Sequence, residues 1–340
     1  VVQLSTKWLT DEENAMLIAG SDDGIYAVTG VHELGETDAE KRLDSGRVFR
    51  VQQFDGIAGL FAASESGLYH SPDGAEWTQV PIPADEAYAV TVDPAGERLY
   101  VGTRPSQLFV ADADTGVPAD ERAWDELDSF GDLRERSDWG LPRHDGISQI
   151  RSLCTHPTTP DRLVVGVEVG GVHVSDDQGE TWTDRSIDGF DAPHTDDIHH
   201  LTLADGETLV ASTGSGLYRS PDVGRTWTRL DTDVSQRYFR EAFAHDDVLY
   251  AGAAPGPSPT WDEGNHALLE FHDGHPLQTV SSPRPDEHAI GWCATDETVL
   301  TVTHRGTLLR RRLGNWEVAG AVPVPGELRG RYLPLCWFED

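Results

Sequence analysis

Residues 161–184, DRLVVGVEVGGVHVSDDQGETWTD, alternate short apolar runs with polar turns. Leu163 to Val167 is rich in β-branched residues, Gly170 and Gly171 interrupt it, Val172 to Ser175 resumes it, and a polar turn leads to Trp182. Runs this short, bounded by Gly, Asp and Ser, read as strands rather than helices. The pattern returns in residues 208–230, TLVASTGSGLYRSPDVGRTWTRL, and more weakly in residues 59–80, GLFAASESGLYHSPDGAEWTQV. Self-similarity at a spacing of about 40–50 residues marks a repeat architecture in which each unit is one supersecondary motif.

The second strand of the unit occurs seven times: LIAG from Leu17, LFAA from Leu60, LYVG from Leu99, LVVG from Leu163, LVAS from Leu209, LYAG from Leu249 and VLTV from Val299. An apolar run precedes most copies as a candidate inner strand, and a third strand follows. A fourth, carrying Trp77, Trp124, Trp182, Trp227 or Trp316, closes five of the units. Four short strands repeated radially make a β-propeller blade. The expectation is an all-β chain, a single seven-bladed propeller over residues 1–340 with blades starting near 1, 47, 86, 147, 197, 237 and 287. Residues 1–9 and residues 329–338, RGRYLPLCWF, compete for the inner slot of the first blade, and the second segment matches the other inner strands better.

The turn before the fourth strand has a readable mechanism. Ser175, Asp177, Gly179, Thr181 and Trp182 recur as Ser220, Asp222, Gly224, Thr226 and Trp227. Ser and Asp side chains bond nearby backbone N–H groups, Gly supplies a positive φ, and Trp pins the turn to the sheet. Ser71, Asp73 and Trp77 form a copy one residue short. The pattern S-x-D-x-G-x-T-W resembles the Asp box, or bacterial neuraminidase repeat, in which the box is a folding device. The whole chain is similar to Asp-box propellers described as glycosyl-hydrolase-like or photosystem-assembly-factor-like. Sialidases of that superfamily carry an Arg-Ile-Pro segment, an arginine triad and a Tyr–Glu nucleophile pair. This chain has no Arg-Ile-Pro, and Tyr238 with Glu241 does not reproduce the pair. Xyloglucan-degrading relatives set paired aspartates between two propellers, whereas one propeller is expected here.

Charge changes the picture next. The 59 acids outnumber 26 bases, for a formal net charge of -33, and Lys7 and Lys41 are the only lysines. The acids are spread along the chain rather than blocked into a tail, which resembles proteins of extreme halophiles, many of them archaeal. Nucleic-acid binding is disfavoured, because it runs on clustered Lys and Arg. No apolar stretch reaches the 18 or so residues of a membrane span. The segment VVQLSTKWLTDEEN shows no secretory signal, and three cysteines suit a reducing compartment. A cytoplasmic location is expected, or an extracellular one if a signal peptide was removed. Cys154, Cys293 and Cys336 each sit in an apolar inner-strand context and read as buried, inert thiols.

In such a blade the second-to-third turn and the blade-to-blade loop share one face, here the loop face. The Asp-box turns lie on the other, the turn face. The long insertions 125–146 and 253–266 fall on the loop face, and loops of that length are usually functional. Ionisable residues cluster where inner strands begin, near the axis. Arg151, His199, Arg240 and His288 are expected to converge on the loop face, with Glu241 and His144 beside them and Glu168 and Trp261 at the rim. Two guanidinium groups there suit a small anion, carboxylate or phosphate. In the run HTDDIHH, His194, Asp197 and His199 form the metal candidate, against its reading as a solvated loop; the cofactor is left open.

Two function classes fit. One is a scaffold binding a ligand or protein partner at the loop-rich face. The other is a glycoside-hydrolase-like or other hydrolase or lyase using the axial His, Arg and acid cluster. No paired-carboxylate or nucleophile motif stands out, which favours binding. The charge yields a direct test. Self-repulsion destabilises the compact state at low ionic strength and salt screens it. The melting temperature is expected to rise steadily from dilute buffer to molar KCl in calorimetry; a flat profile removes the halophilic reading.

Overall fold

The second strand of each repeat is buried on both faces, and this explains its near-continuous apolar run. All five residues of Leu209–Thr213 and of Val299–Thr303 are buried, as are the last six of Ile57–Ser64. The Gly that ends four of the seven copies has a tertiary cause. A Cβ at Gly102 would lie 2.4 Å from Ile150, one at Gly166 2.7 Å from Ile198, one at Gly20 2.8 Å from Val48, and one at Gly252 2.1 Å from the Ala289 carbonyl. Each clash is with the inner strand of the next blade, so the small residue sets how closely neighbouring blades approach.

The computed structural model describes residues 15–31, 37–140, 146–325 and 332–339. They form seven four-stranded antiparallel sheets, a seven-bladed β-propeller. Blades 2 to 7 begin with the inner strands Val48–Phe54, Ala87–Val92, Gln149–His156, Ile198–Leu203, Tyr238–His245 and Ala289–Ala294, then run outward in chain order. Blade 1 is composite. Leu335–Phe338 is its inner strand, paired antiparallel to Met16–Ser21 with Leu17 opposite Trp337, and Gly24–Thr29 and Asp38–Leu43 lie outside. The carboxyl-terminal segment thus takes the contested slot and leaves no open edge there; residues 1–9 lie outside the described residues.

The inner strands of blades 2 to 7 share an irregularity that builds the axis, whereas Leu335–Phe338 of blade 1 pairs in unbroken register. Register slips between Val48 and Arg50, Ala87 and Ala89, Ile150 and Ser152, Ile198 and His200, Phe239 and Ala242, and Ala289 and Gly291. A bulge leaves one residue unpaired, so strict alternation of faces fails locally and successive side chains are re-aimed together. Phe49, Tyr88, Arg151, His199, Arg240 and Ile290 occupy the slipped positions, and all six are buried.

The Ser-Asp turns close as their residue types require. Ser175 Oγ accepts from Gly179 N–H at 2.8 Å, and Asp177 Oδ1 accepts from Thr181 N–H at 2.8 Å. Ser220 and Asp222 do the same for Gly224 and Thr226, both at 2.7 Å. Trp182 and Trp227 are half-buried beside these turns, because each indole reaches sideways to the preceding blade instead of inward. The Trp227 N–H donates to the Arg185 carbonyl at 3.0 Å, Trp182 to Ser129 Oγ at 3.0 Å, Trp124 to the Pro81 carbonyl at 2.7 Å and Trp316 to Glu270 Oε1 at 3.0 Å.

The insertion 125–146 contains a helix, Asp128–Glu135, that the strand pattern did not suggest. Leu127, Phe130 and Leu133 fall on one helical face. Phe130 is fully buried, 5.1 Å from the Trp182 ring and 5.5 Å from Trp139. The described part of this insertion therefore wedges between blades 3 and 4, and Trp139 packs its own loop and His173. If the fourth-strand tryptophans clamp blade to blade, Trp227→Phe should cost about 1 kcal/mol for the lost hydrogen bond. Trp227→Ala should cost about 2–3 kcal/mol in chemical denaturation, less than a fully buried ring. A neutral Trp227→Ala would mean the blades hold without the clamp.

Candidate functional site

At the axis the slipped residues meet the segment leading into the closing strand. The Tyr332 ring lies between two guanidinium groups, 4.7 Å from Arg151 and 4.2 Å from Arg240, with Phe49 edge-on at 4.9 Å and Tyr88 stacked on Phe49 at 3.9 Å. Cation–π contacts of this kind strengthen when desolvated, and both arginines are buried. Arg151 is ion-paired to Glu168, which also accepts from the Gln149 amide at 2.5 Å. Burial is the largest influence on Glu168 and opposes its charge, but Arg151 together with His199 and Arg240 offsets it and holds the carboxyl below its ordinary value. Asp197 lies 3.5 Å from His199 Nε2, and His199 Nδ1 donates to the Phe239 carbonyl at 2.6 Å. Arg240 donates to Tyr238 Oη at 3.4 Å. The space among Phe49, Arg151, Arg240, Ile290 and Tyr332 is about 10 Å³, room for one water at most.

One residue further along the strands lies a second layer. Arg50 of blade 2 meets Glu241 of blade 6 across the axis at 3.2 Å, and its other guanidinium nitrogen donates to the His199 carbonyl at 3.3 Å. Beyond them the channel widens into a cavity of about 550 Å³ lined by polar residues such as Gln52, Thr91, Ser152, His200 and Thr202, and by Phe54, Phe243 and Trp337. These lie toward the carboxyl ends of the inner strands, so this cavity opens on the turn face. Burial raises the Glu241 carboxyl above its ordinary range, and Arg50 and Arg240 only partly offset it. Burial, then Arg50, push His200 well below the usual histidine range.

A third feature is a histidine cluster under the 253–266 insertion. Trp261 is fully buried on the short 3₁₀ turn Ser258–Glu263, its ring 4.9 Å from His288 and 5.5 Å from His304. His266 stacks on His288 at 5.5 Å and bonds the Trp261 carbonyl at 2.9 Å. His304 Nδ1 accepts from the His288 backbone N–H at 2.9 Å. His288 has no exposed surface, and among the described residues neither ring nitrogen has a hydrogen-bond partner.

The expected residues therefore divide. Arg151 and Arg240 flank Tyr332, Glu168 pairs with Arg151 and His199 lies against Tyr238 at 4.7 Å, while Glu241 belongs to the cavity floor. His288 and Trp261 brace the insertion from inside, so Trp261 is not a rim residue. His144 lies outside the described residues. His194 is exposed on a positive-φ turn, whereas Asp197 and His199 are buried, and no three such side chains among the described residues could hold a metal ion. Arg50 and Tyr332 were not singled out from sequence, although Arg50 occupies nearly the place in its inner strand that Arg151 and Arg240 hold in theirs. All three cysteines are free and line the 550 Å³ cavity, and only Cys293 is fully buried, so the thiols face the channel.

No family model and no curated protein matches this sequence. Solved structures do match its fold. An ancestral GH74 enzyme superposes with a TM-score of 0.57 at 17% identity, over 80% of this chain and 38% of that one. The GH74 xyloglucanase from Xanthomonas campestris gives 0.54 at 17% identity, over 80% and 45%. YCF48 bound to a D1 peptide gives 0.54 at 13% identity, over 80% and 81%. The chain spans less than half the length of these GH74 enzymes, and at such identities the likeness is one of fold. No helix among the described residues is long and apolar enough to cross a membrane.

The histidine cluster sets an acid limit on stability. Burial, then the neighbouring imidazoles, push His288 well below its ordinary value, and burial with His266 and Arg305 brings His304 to about 4. The unfolded chain therefore binds more protons as pH falls below about 6.5, and stability present above that value is lost toward pH 4. His288 should contribute to that loss as pH falls below about 6.5. His288→Leu, which removes two unpartnered nitrogens, should keep full stability at pH 7 and flatten the profile. An unchanged profile in that variant would clear His288 of the effect.

Proposed function

We propose that this propeller is a binding scaffold whose axial cavity on the turn face receives a small polar ligand. The observation that supports this reading is the 550 Å³ space with the charged pair Arg50 and Glu241 at its closed end. Pockets of this volume with a few convergent polar groups are ordinary ligand sites. In this reading Arg151, Arg240, Glu168 and His199 hold Tyr332 as a plug behind the cavity floor, and the small anion expected at those arginines is displaced by the Tyr332 ring. The Ser-Asp turns are Asp boxes with a structural role, and the acid excess is a halophilic adaptation. Peptide or protein binding, as in the YCF48 complex, is the form this scaffold would take if the ligand is the end of a chain. The hydrolase alternative has one observation in its favour: Glu241 is raised while Glu168 is lowered, the divergence that acid–base pairs use.

The test is a thermal-shift panel of small polyols, carboxylates, amines and amino acids against the wild-type chain and Ala294→Trp. Ala294 is half-buried on the cavity wall, at the edge of the core around Trp292, so the larger side chain narrows the channel, and circular dichroism checks that the variant folds. At least one compound class is expected to raise the melting temperature of the wild type and not of the variant. A panel without any shift, or shifts that persist in Ala294→Trp, would overturn the cavity as the site.

A further inference from the structure

The ion pair at the cavity floor is poorly bonded for its position. Arg50 and Glu241 side chains are each 12% exposed, and they share one contact at 3.2 Å. The remaining Arg50 donations, to the carbonyls of Phe49, Arg151 and His199, span 3.3 to 3.5 Å. Charge-assisted hydrogen bonds usually run about 2.7–2.9 Å. Removing two charges from water is repaid only by good geometry and further hydrogen bonds on the remaining donors and lone pairs. In the neighbouring layer the Arg151–Glu168 pair comes nearer to that condition, because Glu168 also accepts from the Gln149 amide. Arg50 and Glu241 do not meet it, and both border the open cavity.

The rest of the wall narrows the ligand chemistry. Apart from Arg50 and Glu241, the lining among the described residues carries one carboxylic side chain, Asp55, which lies past the end of its inner strand at the mouth. His200 is held neutral. Burial pushes the Cys154 thiol up to about 11 and the Cys336 thiol up to about 12, so both stay protonated. A ligand of one sign that took either floor group would leave the other as a buried charge without its partner, a costly state. A ligand carrying both signs replaces one long ion pair with two.

Building on the cavity reading above, we propose that the ligand is a small zwitterion, with an ammonium and a carboxylate on neighbouring carbons as in a free amino acid. Its carboxylate bonds Arg50, its ammonium bonds Glu241, and its side chain points down the channel toward Phe243 and Trp337. The volume leaves room for a residue-sized ligand and several waters.

Isothermal titration of the full chain with alanine, leucine and glutamine tests this, with propionate and ethylamine as single-charge analogues and glucose as a neutral polyol. At least one amino acid should bind, with both analogues tenfold weaker or more. Glu241→Gln, close to isosteric, should weaken amino-acid binding by tenfold or more, and Arg50→Gln should do the same if circular dichroism shows it folded. Equal binding of an analogue, or amino-acid binding indifferent to Glu241→Gln, overturns the zwitterion. Glucose binding that Ala294→Trp abolishes also overturns it while leaving the cavity reading intact. Absence of binding by every compound, or binding that survives Ala294→Trp, overturns both.

Discussion

The pairing of Leu335–Phe338 along Met16–Ser21 is the interaction on which the remaining geometry depends. Without it the first blade lacks its inner strand and the ring has an edge. The same segment does more than close the ring. Tyr332, Leu333 and Pro334 precede the strand and arrive at the axis with it; the Pro334 carbonyl accepts from Gly20 N–H at 2.9 Å, and Tyr332 settles between Arg151 and Arg240. Closure and the filling of the axis are one event, so the two ends of the channel become different places. The end near Tyr332 is packed with aromatic and guanidinium groups. The end beyond Arg50 and Glu241 is open.

Charge is handled differently at the two radii. Outside, most acids are solvated, and the exposed ion pairs, such as Lys41 with Asp44, add little to stability. At the axis the cations are all arginine, which suits the place: a planar guanidinium can stack on a ring and still direct hydrogen bonds sideways. Arg151 does both, on Tyr332 and Glu168. A lysine there would lose the stack and carry a more strongly hydrated charge into the same burial.

Between axis and rim the molecule is held by repeated close approach. Small residues at the ends of the second strands let the next inner strand nestle in, and the fourth-strand tryptophans reach back to the blade before. Where both devices occur, as between blades 4 and 5 and between blades 6 and 7, the interface is made twice, near the axis by removal of side chain and at the rim by addition of it. The histidine cluster sits between blades 6 and 7, where Trp261 adds a third contact from an insertion.

From the sequence alone the unit, its sevenfold repetition, the strand boundaries within a few residues and the closing segment were all legible, because they rest on local periodicity and turn chemistry that each repeat expresses separately. The approach of Arg151, His199 and Arg240 to the axis follows from the same radial topology, whereas His288, expected with them, packs against Trp261 and His266, and Glu168, expected at the rim, pairs with Arg151. What only the tertiary structure decided is who faces whom once there. The inner-strand bulges depend on hydrogen-bond register between strands, and they separate Arg240 from Glu241 into different layers. Tyr332 enters from the far end of the chain, which no local pattern can announce. Trp261 turned inward because its loop found the apolar wedge beside His288, and the described cavity opened on the turn face because the closing segment fills the axis from the other side.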